Sequence, residues 1–324
     1  MGMLIDGKWS TRWYGADEKG RFIREDTQFR DRVTRDGSSG FPAEPGRYHL
    51  YASWACPWAH RTLIARKLRN LESAISVSVV DWFMGDDGWQ FTDREGTIPD
   101  PIHHARYLRE VYLKAKPDYT GRVTVPVLWD KQKGTIVSNE SREILRMLDD
   151  AFRDVGDPDV HFHPPELHDR IEQTIDAIYT PINNGVYRSG FAITQEAYDE
   201  AVTDLFAALD HWESVLANQR WLCGDVMTEA DICLFTTLLR FDLVYHTHFK
   251  CNVRRVRDYP SLWGFTREIY QLPGVADVCN VTHIKRHYFE SHESINPKRI
   301  VPKGPDIDFT EPHDRARLGG RTPV

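Results

Sequence analysis

The feature that most constrains the fold is a change of pattern part-way along the chain. Between residues 47 and 152, short apolar runs of strand character alternate with helix-like ones. From about residue 165 no strand signal remains, and helical periodicity takes over. In the first part, "RYHLYAS" (47–53) reads as a strand and Pro57 to Asn70 as a helix, with proline tolerated in its first turn. "AISVSVV" (74–80) is a second strand, β-branched in character. Residues 81–118 hold a polar loop and then the helix "ARYLREVYLKA". "VTVPVLWD" (123–130), interrupted by Pro126, and "GTIVS" (134–138) are the third and fourth strands. The helix "NESREILRMLDDAF" (139–152) follows, with Asn139 or Ser138 able to cap it.

A parallel pair joined by a crossover helix, then a hairpin and a helix, resembles the thioredoxin-like arrangement. Beyond it lie four amphipathic candidates: "LHDRIEQTIDAIYTPINNGVY", "TQEAYDEAVTDLFAALDHWESVLA", "TEADICLFTTLLRFDLVYHTHF" and "YPSLWGFTREIYQL". The expected organisation is an extended N-terminal arm at 1–46, an α/β thioredoxin-like domain at 47–153 and a Pro- and Asp-rich linker at 154–166. An all-helical domain at 167–290 and a tail at 291–324 complete it.

Composition narrows the function classes. With 324 residues, 41% hydrophobic and 27% charged, the chain is long enough for a sizeable core. A net charge of −7 disfavours a nucleic-acid partner. No apolar run approaches the roughly 18 residues a membrane span needs. The first ten residues, "MGMLIDGKWS", carry no secretory signal pattern. Five cysteines, an odd number without a CxxC pair, argue against a disulfide framework and a zinc ribbon. The expected compartment is therefore the reducing cytoplasm.

Within "YASWACPWAHRTLIARKL" (51–68), Cys56 stands between a strand and a helix, directly before Pro57. The N–H groups at a helix start carry roughly half a positive charge, which favours a thiolate. Cysteine pKa values at such places fall to about 3.5–7.5. Without a second cysteine nearby, this thiolate can form a mixed disulfide only with an external thiol, and in the cytosol that thiol is glutathione. Cys223, Cys233, Cys251 and Cys279 read as core cysteines.

Two further elements fit a glutathione site. In thioredoxin-like folds a cis-proline opens the strand that faces the reactive cysteine, and Val125-Pro126 stands in that position. The backbone of Val125 would pair with the cysteine of glutathione. Glu140 and Ser141 open the helix after the fourth strand, where N–H groups, a hydroxyl and a carboxylate suit a γ-glutamyl end. Thr228 and Asp231 have capping-box spacing and read as structural. His60, one turn beyond Cys56, reads as a helix residue. "HFHPPELH" (161–168) and "YHTHF" (245–249) are dense in histidine but offer no cage, and are expected as solvated loops.

"SWACPWAHRTLI", "GRVTVPVLWD", "IVSNES", "NNGVY", "FTTLLRFDLVYHTHFK" and "IKRHYFESHESINP" together resemble the glutathionyl-hydroquinone reductases, the Xi class of glutathione transferases. The resemblance implies the glutathione transferase fold: a thioredoxin-like domain that binds glutathione, followed by an all-α domain. It implies Cys56 as nucleophile, Trp89 covering glutathione, Arg122 on a glutathione carboxylate, Val125 giving backbone contacts, and Glu140 and Ser141 holding the γ-glutamyl end. Tyr187 and Tyr288 would come from the helical domain and hydrogen-bond the hydroquinone oxygen. Glutathione would be the co-substrate, no metal would take part, and the protein would be a homodimer. Two other readings stand beside this one. An Omega-like thiol transferase or dehydroascorbate reductase would share Cys56, and a non-catalytic binding module would keep only the fold.

Overall fold

The computed structural model describes residues 2–322. The chain packs as two units. The first comprises the residues up to Trp13, Glu25–Val160 and Asn280–Glu293. The second comprises Tyr14–Arg24, His161–Cys279 and the residues from Ser294 on.

In the first unit a four-stranded mixed sheet has the order β4-β3-β6-β7, with β3 Tyr48–Ala52, β4 Ser76–Val79, β6 Val127–Asp130 and β7 Thr135–Ser138. β3 pairs with β4 in parallel and with β6 antiparallel, and β6 pairs with β7 antiparallel. Helix α1 (Pro57–Leu68) is the crossover that the parallel pair requires. Every residue of β3 is buried, His49 included. The closing helix is split: α3 is Ser141–Arg146, and a π-helical turn at Met147–Ala151 continues it.

The arm is more structured than expected. β1 (Met3–Ile5) and β2 (Lys8–Ser10) form a hairpin whose turn places Asp6 and Gly7 at φ 47° and 73°, the left-handed region that glycine tolerates. β1 also pairs antiparallel with β5 (Gly121–Arg122), making a second small sheet. The linker does not hang free: fully buried Arg69 donates to the carbonyls of Asp157 and Val160, fastening residues 157–160 to this unit. Helix α2 (Leu108–Ala115) and the preceding loop complete the α/β part.

The second unit is helical: α4 His168–Ile178, α5 Gly185–Gly190, α6 Gln195–Leu216, α7 Glu229–Arg240, α8 His246–His248 and α9 Pro260–Tyr270. Two of the expected long helices are interrupted by π-helical turns, at Tyr179–Asn183 and Phe241–Tyr245. The α7 start carries a capping box. The Thr228 side chain accepts from the third helical N–H, and Asp231 accepts from the backbone of Thr228 (2.7 Å) and of Leu222 (2.7 Å). Arg315, in the expected tail, is buried against Glu268 at 3.1 Å and donates to the carbonyls of Leu216 and Ser261. No helix among the described residues is long and apolar enough to cross a membrane.

A last helix, α10 (Val281–Ser291), has no counterpart among the four amphipathic stretches. It packs with the first unit, so Tyr288 belongs there and not to the helical unit expected for it.

Candidate active site

The first unit brings together Cys56, Trp89, Arg122, Val125, Glu140, Ser141 and Tyr288, whereas Tyr187 lies in the second. Cys56 is the N-cap residue of α1, with extended backbone (φ −77°, ψ 120°) and Pro57 just inside the helix. The Cys56 side chain makes no capping hydrogen bond to the helix, and the first turn holds no acidic residue. The helix thus brings no carboxylate of its own to its positive end, a setting in which a thiolate is favoured. Cys56 Sγ lies 3.7 Å from the Val125 carbonyl oxygen, and the Val125-Pro126 bond is cis. Only 8% of Cys56 is exposed, so a reacting partner must come to a recessed sulfur.

Glu140 caps α3. Its carboxylate accepts from the Arg142 N–H (3.2 Å), from Ser141 Oγ (3.4 Å) and from Thr27 Oγ1 (3.2 Å). Arg61, on α1 and buried, reaches Ser141 Oγ at 3.5 Å and lies over the Trp58 ring. Arg61 was not anticipated from sequence.

Arg122 is engaged within the chain. Its guanidinium donates to the carbonyls of Arg12 (2.5 Å) and Trp13 (2.9 Å) and pairs with Glu25 at 2.9 Å. A glutathione carboxylate would therefore have to share Arg122 with Glu25. Trp89 is buried and its ring stacks on His287 with centroids 4.8 Å apart. Tyr288 is 1% exposed, edge-on to His292 at 5.4 Å. In the second unit, the guanidinium of Arg24 sits 4.9 Å from the Tyr187 ring centre, and Tyr245 and Phe249 flank that ring.

His60 is fully buried within α1. The histidine-rich segments depart from the solvated loops expected. Phe162 and His163 are buried, and the His163 ring stacks on His168 with centroids 3.8 Å apart. His163 offers a ring nitrogen within 4.8 Å of carboxylate oxygens of Glu172 and Glu229, so carboxylates distant in sequence gather round it. "YHTHF" (245–249) is helical, and its Tyr245, His248 and Phe249 are buried in the aromatic cluster beside Tyr187. Cys223, Cys233 and Cys251 are buried core cysteines, as read from sequence, and Cys279 is half-buried. Burial pushes the Cys251 thiol up to about 12.

The N-terminal domain family of glutathione S-transferases matches residues 55–151, and the C-terminal domain family matches residues 195–268. The chain is 51% identical over 323 residues to the glutathionyl-hydroquinone reductase YqjG of Escherichia coli, covering 97% of this chain and 98% of that protein. The chain belongs to the glutathionyl-hydroquinone reductase family, the Xi class of glutathione transferases. Two further relatives match over most of their length. The glutathionyl-hydroquinone reductase PcpF of Sphingobium chlorophenolicum is 51% identical over 306 residues, covering 94% of this chain and 96% of its own length. An omega-like glutathione S-transferase of Schizosaccharomyces pombe is 45% identical over 303 residues, covering 91% and 96%. Among solved structures, a Xi-class enzyme from Natrialba magadii superposes with TM-score 0.94 at 54% identity, over 99% of this chain and 98% of that one. Glutathione-bound YqjG superposes with TM-score 0.90 at 50% identity, over 97% and 99%.

Proposed function

We infer that the chain reduces glutathionyl-hydroquinones to hydroquinones with glutathione, releasing glutathione disulfide. The two reductases at 51% identity over nearly full length carry this reading. The position of Cys56 at the uncapped start of α1 supports it as the nucleophile.

The chemistry is two exchanges. The Cys56 thiolate attacks the sulfur of the glutathionyl-hydroquinone, forming a sulfur–sulfur bond as the ring carbon–sulfur bond breaks. The ring carbon takes the electron pair and then a proton, so the aromatic product is the free hydroquinone. A second glutathione thiolate attacks the Cys56–glutathione disulfide, releasing glutathione disulfide and restoring the Cys56 thiolate. The ring carbon gains two electrons, one each from the thioether sulfur and the thiol sulfur that end joined as glutathione disulfide, so no metal is required. Tyr187 and Tyr288 polarise the ring oxygen by hydrogen bonding, which helps the ring accept charge. Val125, Glu140, Ser141, Arg122 and Trp89 hold glutathione. In this reading the protein works as a cytoplasmic homodimer; its five free cysteines suit a reducing compartment.

The test is product analysis. The purified protein, a glutathionyl-hydroquinone and glutathione should yield hydroquinone and glutathione disulfide in equal amounts. Absence of both products contradicts the reading. Tyr288→Phe should slow turnover by roughly 10- to 100-fold with little change in glutathione affinity; unchanged kinetics would remove Tyr288 from the mechanism. The omega-like relative at 45% identity favours one second reading, a thiol transferase acting on dehydroascorbate or small mixed disulfides. That reading predicts activity on those substrates that is insensitive to Tyr288→Phe.

A further inference from the structure

We propose that His287 is a positioning residue: it sets the orientation of the Trp89 indole, and through it the affinity for glutathione. The inference rests on the assignment of Trp89 to the glutathione site.

The backbone around Trp89 is already held. Its carbonyl accepts from the Leu108 N–H at 3.0 Å, and Asp81 donates to the neighbouring Gln90 carbonyl at 2.8 Å. Phe91 donates to the Arg106 carbonyl at 2.9 Å. What those bonds leave open is the rotation of the side chain. His287, on α10, closes that freedom: the two rings lie nearly parallel, 21° apart, and both residues are only 5% exposed. The imidazole is itself fixed, because Nδ1 donates to the Trp82 carbonyl at 2.7 Å.

That carbonyl belongs to the same loop as Trp89, and α10 grips the loop elsewhere. Glu290 accepts from the Trp82 indole N–H at 3.0 Å, and Ser291 Oγ accepts from the Met84 N–H at 3.0 Å. His283 Nε2 donates to the Glu95 carbonyl at 2.8 Å, and Arg94 and Arg286 flank the Trp82 ring. The loop and α10 thus form one clamp, and His287 is the point where it touches the Trp89 ring. A ring partner restricts Trp89 before glutathione arrives, so less side-chain freedom is lost on binding.

The test is calorimetry of glutathione binding to the whole protein, with a double-mutant cycle. Trp89→Ala and His287→Ala should each weaken binding about 5- to 20-fold, and the double variant should be no weaker than Trp89→Ala alone. His287→Phe, which keeps a ring under Trp89, should stay within about threefold of the parent, because Ser291 Oγ also donates to the Trp82 carbonyl (3.3 Å). His287→Asn, which keeps a donor but no ring, should behave like His287→Ala. Full affinity in His287→Ala, beside a weakened Trp89→Ala, overturns the proposal alone. So does an effect of His287→Ala that persists undiminished without Trp89. Full affinity in Trp89→Ala overturns the proposal together with the placing of Trp89 at glutathione, while leaving Cys56 chemistry standing.

Discussion

Two helix beginnings in this molecule solve the same problem in opposite ways. At α7, the Thr228 side chain accepts from the Asp231 N–H, the Asp231 carboxylate accepts from the Thr228 N–H, and Glu229 and Asp231 place acidic residues in the first turn. At α1, Cys56 occupies the N-cap without a side-chain cap, and no acidic residue follows. A helix start completed by its own chain is stable and chemically inert. One left open keeps its partial positive charge available to a sulfur anion. Pro57 makes the open start tolerable, since proline has no N–H to leave unpaired.

The comparison breaks most sharply at Cys56. Replacing it with serine should lower reductase turnover on the order of 10³-fold or more while leaving the fold and glutathione binding intact, measured by steady-state kinetics beside calorimetry. Next in size is thiol reactivity. Iodoacetamide should label Cys56 at least about 100-fold faster than Cys251, whose thiol is buried with a pKa pushed up to about 12. Peptide mass mapping over time would reverse the comparison if Cys251 reacted first.

At α7 the effect falls on stability. Asp231→Ala should cost about 2–4 kcal/mol by denaturant unfolding, combining a lost cap with an unsatisfied Leu222 N–H. A loss under about 0.5 kcal/mol would mean that this completed start is not what holds the helix.

The effect confined to a pH interval is the last, and its sign is definite. Desolvation pushes Asp231 up to about 6 against an ordinary 3.8, so the native state keeps a proton that the unfolded chain releases. Its contribution is fully present below about pH 4 and is lost as pH rises through about 6. Asp231→Asn should therefore gain on the parent over that interval, by up to about 3 kcal/mol. His49 works the other way: burial lowers it from 6.5 to about 4. Its contribution is present above pH 6.5 and is lost as pH falls through about 4. Unfolding midpoints across pH 4–7 for Asp231→Asn and a His49 variant separate the two.

Much of the first unit could be read in advance because its signals are local. A strand, a proline-started helix and a β-branched strand follow one another, and the parallel pair needs the helix between them. The capping box of α7 is equally local, four residues long. What escaped depends on distance or on subtle geometry. β1 is three residues long and gains its meaning by pairing Met3 with Arg122. The π-helical turns carry no periodic mark of their own. Helix α10 buries His283 and His287 beside Ile284, Tyr288 and Phe289, so two of its buried positions read as polar in sequence. The same helix carries Tyr288, which the family resemblance placed in the helical domain, while packing joins the helix to the loop at 82–95. Arg122 was expected on a ligand carboxylate, and Glu25, nearly a hundred residues earlier, already pairs with it.

The most direct measurement is a single-turnover experiment read by mass spectrometry. The protein is mixed with a glutathionyl-hydroquinone in the absence of free glutathione, then digested and mapped. The account predicts one glutathione on the peptide containing Cys56, one equivalent of free hydroquinone, and release of the adduct when glutathione is added. Hydroquinone formed without a Cys56 adduct, or an adduct on another cysteine, would contradict the claim that the open start of α1 makes Cys56 the nucleophile.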